Sequence, residues 1–339
     1  MRTSLAVCSI CVFVFAASAG ASPMNDPFGY FNVYSLGDIG SAGAKYHSDF
    51  QGVAGAAGDV YFSSFSLHGN DSAGGYCLHT GGSATLTGAY LKGLEIGGDA
   101  ALGSLSVGGS VVAGGDIANF SGGSIAGDAQ AGGSVQLSQA MTVSGQKRSG
   151  AAFVPLVDHD MLSKFFRDTS AAIGAMPDTG AVANQWGLLS FDGTSGVNVV
   201  SVDAATLRSA WGFTIRAPAD AVVYVNVPDA DVQLDWTGWG YTGGVSAGNV
   251  ILNLPNAEAL QLTSANAVNV LAPLAETYFP AGLITGSLVV GDLEGGGQVN
   301  LGHFEQGPPV PEPATLWLFA ASAAGLVRRA RRRRSGDRF

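Results

Sequence analysis

The chain has 339 residues, a formal net charge of −10, 50 glycines and only 12 % charged residues. That length supports one large domain or two small ones. So acidic a chain argues against nucleic acid, whose phosphates need Lys and Arg, and against an anionic membrane surface.

The chain opens "MRTSLAVCSICVFVFAASAGASP". Arg2 is a positive start, Ser4 to Phe15 an apolar core, and Ala17-Ser18-Ala19 a small-x-small cleavage signal. This predicts a secretory signal peptide over residues 1–19, removed after Ala19 or Ala21, and hence Sec-type export. The run is short for a spanning helix. Cys8 and Cys11 leave with it. Cys77 is then the lone mature thiol and reads as a small buried hydrophobe in a packed strand. Residues 20–29 form a spacer.

Residues 50–143 divide into similar turns. Gly58-Asp59, Gly82-Ser83, Gly98-Asp99, Gly115-Asp116 and Gly133-Ser134 recur every 16 to 18 residues, with one step of 24 that holds the loop "HGNDSAGG". Such periodicity marks a solenoid, and β-branched or Leu residues at alternate positions make its rungs β. About three short strands per rung fit, each rung giving the next its backbone partners. Asp99, Asp116 and Asp128 invite a calcium reading. The calcium-binding run Gly-Gly-x-Gly-x-Asp is missing, however, and corner Asp residues commonly bond their own turn. No metal or cofactor is expected.

After Gly150 the pattern breaks. Leu162, Phe165, Phe166, Ile173 and Met176 have helical spacing, Asp158 or Asp160 caps the start, and Pro177 closes the end. The spacing predicts an amphipathic helix over 158–176, lying along the solenoid. From Val197 to residue 306, short alternating segments between Gly, Pro, Asn and Asp turns predict a second strand stack. The fold class is therefore mostly β: a single-domain β-solenoid over 30–306 with one amphipathic helix alongside.

Residues 307–310 form a Pro-rich linker. Pro311-Glu312-Pro313 follows, then an apolar run from Ala314 to Val327, then Arg328, Arg329, Arg331, Arg332, Arg333 and Arg334. As a helix the run covers about 21 Å, short of a ~30 Å hydrocarbon core, and the arginines resist translocation. An ordinary C-terminal anchor is the rival reading. The tripartite order resembles the PEP-CTERM sorting signal read by exosortase in Gram-negative bacteria. The resemblance implies a transient inner-membrane tether through 314–327, cleavage near the motif, and release to the cell surface or matrix. The remaining chain resembles the choice-of-anchor A domain, through "FNVYSLGDI" (31–39), "GVAGAAGDVYFSSFSL" (52–67), "NVILNLPNAEALQL" (249–262), "NVLAP" (269–273) and "GSLVVGDLEGGGQVN" (286–300). The resemblance leaves its molecular activity open. The order of repeats, helix and strands is also similar to ice-binding β-solenoids.

Signals for chemistry are few. Gly244-Val245-Ser246-Ala247-Gly248 matches Gly-x-Ser-x-Gly, but a strand pattern follows where the hydrolase elbow needs a helix. His303 completes a triad only in order. His47, His68, His79, His159 and His303 are scattered, without metal-ligand spacing. Asp229, Asp231 and Asp235 supply carboxylates for glycan cleavage, or else the solvated face of an edge strand. Trp236, Trp239 and Tyr241 sit in the Gly-rich "DWTGWGY". They read as a contact platform for sugar rings or protein, or as a hydrophobic cap over the end of the stack. The expectation is an exported, non-enzymatic structural or adhesive protein associated with exopolysaccharide or biofilm. The rivals are a glycan-cleaving β-helix enzyme and an ice-binding adhesin. Ice faces need regular Thr arrays, and Thr85 and Thr87 are the one clear pair.

Overall fold

A computed structural model describes residues 26–68, 75–235 and 238–304. The signal peptide, the linker, the sorting signal at 311–334 and Trp236 lie outside the described residues.

The chain forms a three-sided β-solenoid. Among the described residues every strand pair is parallel except the hairpin of Ala183–Gln185 with Leu188–Asp192. On the first face Phe31–Ser35 occupies the middle of the stack. On one side of it lie Val53–Ala56, Leu78–Thr80, Leu94–Ile96, Val111–Ala113, Ala129–Ala131 and Lys147–Arg148. On the other lie Leu288–Gly295, Asn269–Phe279, Val250–Asn253, Ala221–Asn226 and Gly196–Ser201. The chain thus starts mid-rod, builds outward to Arg148, and crosses back. It then builds inward from the far end until Val33 pairs with Leu288. The repeats and the later strands share one continuous ladder on this face, and the later strands begin at Ala183, earlier than the expected Val197, with a separate four-stranded sheet that also holds Leu188–Asp192, Gly212–Arg216 and Gly238–Thr242.

The crossing is made by the helix His159–Gly174. Asp158 caps it, its Oδ1 accepting from the Met161 N–H at 2.9 Å. Sixteen residues span about 24 Å, the length of five rung spacings at ~4.8 Å. Its start meets Tyr34 through His159, and its end meets Asn226, whose Nδ2 donates to the Ile173 carbonyl at 3.1 Å. Asn253 Nδ2 donates to the Ser170 carbonyl at 3.0 Å. Both asparagines thus tie the last turns of the helix to the first face. Leu162, Phe166 and Ile173 are buried against Phe31, Tyr34, Tyr224, Ile251 and Leu271, while Phe165 and Met176 are only partly covered. Among the described residues no helix is long and apolar enough to cross a membrane.

The corners explain the repeat. Asp292 Oδ1 accepts from the Asp38 N–H at 2.7 Å, Asp38 Oδ1 from Asp59 at 2.6 Å, and Asp59 Oδ1 from Ser83 at 2.7 Å. Ser83 Oγ accepts from Asp99 at 3.1 Å, Asp99 Oδ1 from Asp116 at 2.7 Å, and Asp116 Oδ1 from Ser134 at 2.6 Å. Each corner side chain therefore bonds the next rung's backbone, not its own turn as expected. The glycine before each corner residue makes room for that oxygen. A Cβ at Gly58 or Gly115 would lie 2.0 Å from the preceding carboxylate. The backbone N–H and the hydroxyl of Ser134 both donate to Asp116 Oδ1 and hold that carboxyl below its usual range. Cys77 is buried as expected. Its Sγ accepts from Lys92 N at 3.2 Å, and burial pushes its thiol up to about 12.

Candidate functional site

The helix His159–Gly174 covers the first face, and among the described residues it covers neither of the other two. The third face carries an outward row in register: Asp49, Ser66, Tyr90, Ser106, Ser124 and Thr142. Inward residues of the same strands, Phe50, Leu67, Leu91, Leu105, Val107, Ile125 and Met141, are buried in the rod core. The period-2 alternation of the strands thus sets hydroxyls outside and hydrocarbon inside.

An open groove of about 1120 Å³ runs over this row, lined by Ser48, Asp49, Ser64, Ser66, His68, Tyr90, Ser104 and Ser106 among others. Ser64 has φ of +50°, a left-handed conformation that favours glycine. Ser106 and Ser124 share a hydroxyl hydrogen bond at 3.1 Å, and Ser104 N donates to Ser121 Oγ at 2.6 Å. Gln298 Nε2 donates to Asp49 Oδ2 at 3.1 Å, which fixes that carboxylate at the groove's end. Tyr90 is 53 % exposed, and Phe120, beside Gly103, is 65 % exposed. Successive rungs set the hydroxyls of Ser66, Tyr90 and Ser106 in one row about 4.8 Å apart, and Tyr90 adds one exposed aromatic ring to the groove.

The second face is uneven. Tyr61, Thr85, Ala101 and Ala118 share one row, and Ser63 and Thr87 another. Beyond Ile39 the rows turn acidic, with Tyr278 beside Glu294 and Glu276 beside Asp292. Thr85 and Thr87 have no threonine neighbours along these rows.

Other candidates take structural roles. Ser246 Oγ donates to Asn249 Oδ1 at 2.8 Å and helps cap the short turn Ala247–Asn249. Asp229 Oδ2 accepts from Ala204 N at 2.9 Å, and Asp235 pairs with Arg208 at 3.4 Å and accepts from Thr263 Oγ1 at 3.2 Å. Asp231 stays exposed on the strand Asp231–Leu234. Trp239 and Tyr241 lie on the strand Gly238–Thr242, not in a turn. They pair with the buried Phe213 and Ile215 and are packed on the core. Trp239 Nε1 donates to Asn266 Oδ1 at 3.1 Å, and the Tyr241 hydroxyl to the Ala267 carbonyl. Burial raises the Tyr241 hydroxyl above its ordinary range.

The structure also gathers a buried cluster that the scattered histidines did not announce. His79 Nδ1 bonds Glu95 Oε2, His79 Nε2 lies 2.9 Å from the Tyr30 hydroxyl, and Glu95 Oε1 accepts from Leu156 N. His79 and Glu95 are register partners on adjacent rungs. Burial, then the Glu95 charge, pushes Tyr30 up to about 12. The cluster is closed to solvent and clasps the segment that leads into the helix. Among the described residues no group of His, Cys, Asp and Glu is placed to hold a metal ion.

Residues 24–301 match the family model described as "Putative Ice-binding-like adhesive domain". The chain belongs to that family. Residues 309–333 match the PEP-CTERM protein-sorting motif, so this member of the adhesive family is an exported protein sorted toward the cell surface. The match carries the sorting half of the resemblance seen in the sequence; it does not carry the choice-of-anchor A half. Among solved structures, an ice-binding protein from the Antarctic ascomycete Antarctomyces psychrotrophicus is 18 % identical, with a TM-score of 0.28, over 61 % of this chain and 94 % of that one. No curated protein matches the chain.

Proposed function

We propose that the exported protein is a non-catalytic adhesive of the surface or extracellular matrix, and that it holds polysaccharide along the third face. The observation that carries this reading is the open groove of about 1120 Å³, with its in-register hydroxyls and Tyr90. A polymer with repeating hydroxyls is the ligand that a row of hydroxyls with one exposed aromatic ring suits. In this reading residues 1–19 direct Sec-type export. Residues 311–334 are read by exosortase while 314–327 tether the chain in the inner membrane, and 30–306 is the working domain, of choice-of-anchor A type. The engagement of Asp229, Asp235 and Ser246 in structural bonds speaks against the glycan-cleaving rival.

The family description favours ice as a second ligand. The broken threonine rows and the acidic half of the second face speak against it. The test is affinity electrophoresis of the exported protein in gels with soluble polysaccharides, beside an ice-recrystallisation assay. Retardation that Tyr90→Ala weakens several-fold supports the groove. Ice inhibition without retardation replaces polysaccharide by ice. Shortened polymer after incubation makes the protein an enzyme.

A further inference from the structure

The last rung at the C-terminal half's outer end carries an aromatic pair that the core does not use. Trp186 and Gly187 are the two central residues of the hairpin turn between Ala183–Gln185 and Leu188–Asp192, with φ of +51° and +84°. Two left-handed residues make a turn that favours Asn-Gly, and a tryptophan strains it. Strain of this kind is ordinarily offset by burial, yet Trp186 is 92 % exposed and covers nothing. Trp211 stands one rung on, 52 % exposed. Its Nε1 donates to the Trp186 carbonyl at 3.0 Å, so the two residues are locked together. A Cβ at Gly187 would lie 3.0 Å from Trp211 Cδ1, and the glycine lets the indole settle against the turn.

Size and surroundings decide the ligand. The two indoles expose at most about 360 Å² at the upper aromatic area, well below the ~800 Å² per partner of a stable protein interface. Exposed Asn184 and Gln185 flank them with amide groups. Charges on the neighbouring elements are paired, Arg216 with Asp192 at 3.3 Å and Arg208 with Asp235 at 3.4 Å. Flat apolar faces beside amides, without free charge, match the face and rim hydroxyls of a neutral sugar ring. We propose that Trp186 and Trp211 form a binding site for a sugar unit of a neutral polysaccharide, separate from the groove on the third face. This shares its ligand class with the proposed function but stands on different residues.

The clean variant is Trp186→Asn, which removes the indole and installs the residue that the turn prefers. The full exported chain is run in gels that contain a soluble β-glucan, a mannan or a xylan, and is mixed separately with phosphatidylcholine vesicles. The wild type is expected to be retarded by at least one polymer. Trp186→Asn should weaken that interaction fivefold or more with an unchanged or higher melting temperature, and Trp211→Ala should weaken it with the fold intact by circular dichroism. Three results overturn the proposal: no retardation of the wild type, retardation of Trp186→Asn equal to the wild type, or partition into vesicles that the variant abolishes. Loss on Tyr90→Ala with no loss on Trp186→Asn removes the end site and leaves the groove standing.

Discussion

The corner ladder makes a quantitative prediction about Asp99 and Gly115. Asp99 Oδ1 accepts from Asp116 N at 2.7 Å, and a Cβ on Gly115 would sit 2.0 Å from that same oxygen. A hydrogen bond to a charged acceptor is worth about 1.5–3 kcal/mol, and an exposed corner belongs at the low end. Asp99→Ala should therefore cost about 1.5 kcal/mol. Gly115→Ala expels the carboxylate and should cost about the same, since Gly115 does not have a left-handed φ that would add backbone strain. In the double variant the clash is gone and the bond can be lost only once. One tight contact remains, 3.0 Å to the Gly98 carbonyl carbon. The double should thus cost about 2 kcal/mol, and the coupling should reach about 1 kcal/mol or more. Urea titrations of wild type, both singles and the double give the cycle, provided the slope with denaturant stays constant. Additive costs would mean that glycine and carboxylate act independently and that the repeat needs another explanation.

Three further outcomes follow from particular contacts. Trp239→Ala should cost about 3 kcal/mol, because its ring stacks on Phe213 with centroids 5.3 Å apart; unchanged stability with weakened binding would restore the platform reading. His159, lowered to about 4 chiefly by burial, is neutral in both states above its ordinary 6.5. As pH falls from 6.5 to 4 only the unfolded chain takes the proton, so stability should drop by about 3 kcal/mol across that window, and His159→Gln should flatten the slope. The extracellular form should have an intact mass lacking Met1–Ala19 and everything beyond about Pro313; a surface form that keeps the Arg cluster would end the sorting reading.

The rungs were legible because the corner chemistry repeats in sequence: a glycine, then a short side-chain oxygen, every 16 to 18 residues. What that oxygen bonds was not legible, since the acceptor serves a backbone N–H one rung away. The junction of the two stacks was equally hidden. Val33 pairs with Leu288, and no local pattern links residues so far apart. In "DWTGWGY" the glycines at 238 and 240 imitate a turn. The alternation that turns Trp239 and Tyr241 inward shows only through their neighbours Phe213 and Ile215. The His79–Glu95 pair had a readable signal, because 16 residues is one rung period and period neighbours face the same way. Trp186 had none: a tryptophan before glycine is not the residue pair that announces a tight hairpin.

Starting the rod in its middle has a consequence for display. Phe28 and Phe304 lie with ring centroids 6.1 Å apart, and Ser287 Oγ donates to the Phe28 carbonyl at 3.3 Å. Phe304 also contacts Tyr224, inside the apolar layer under the helix. The described chain therefore enters and leaves side by side, on the face that the helix already covers. Phe304, the last described residue, lies on that face. A tether beyond Phe304 would therefore start on that face and not at the hydroxyl groove or the Trp186 turn. The same insertion of Phe31–Ser35 between Val53–Ala56 and Leu288–Gly295 makes the exit depend on folding. Phe304 contacts Phe28 from the first half and Tyr224 from the second, so its seat is built by both.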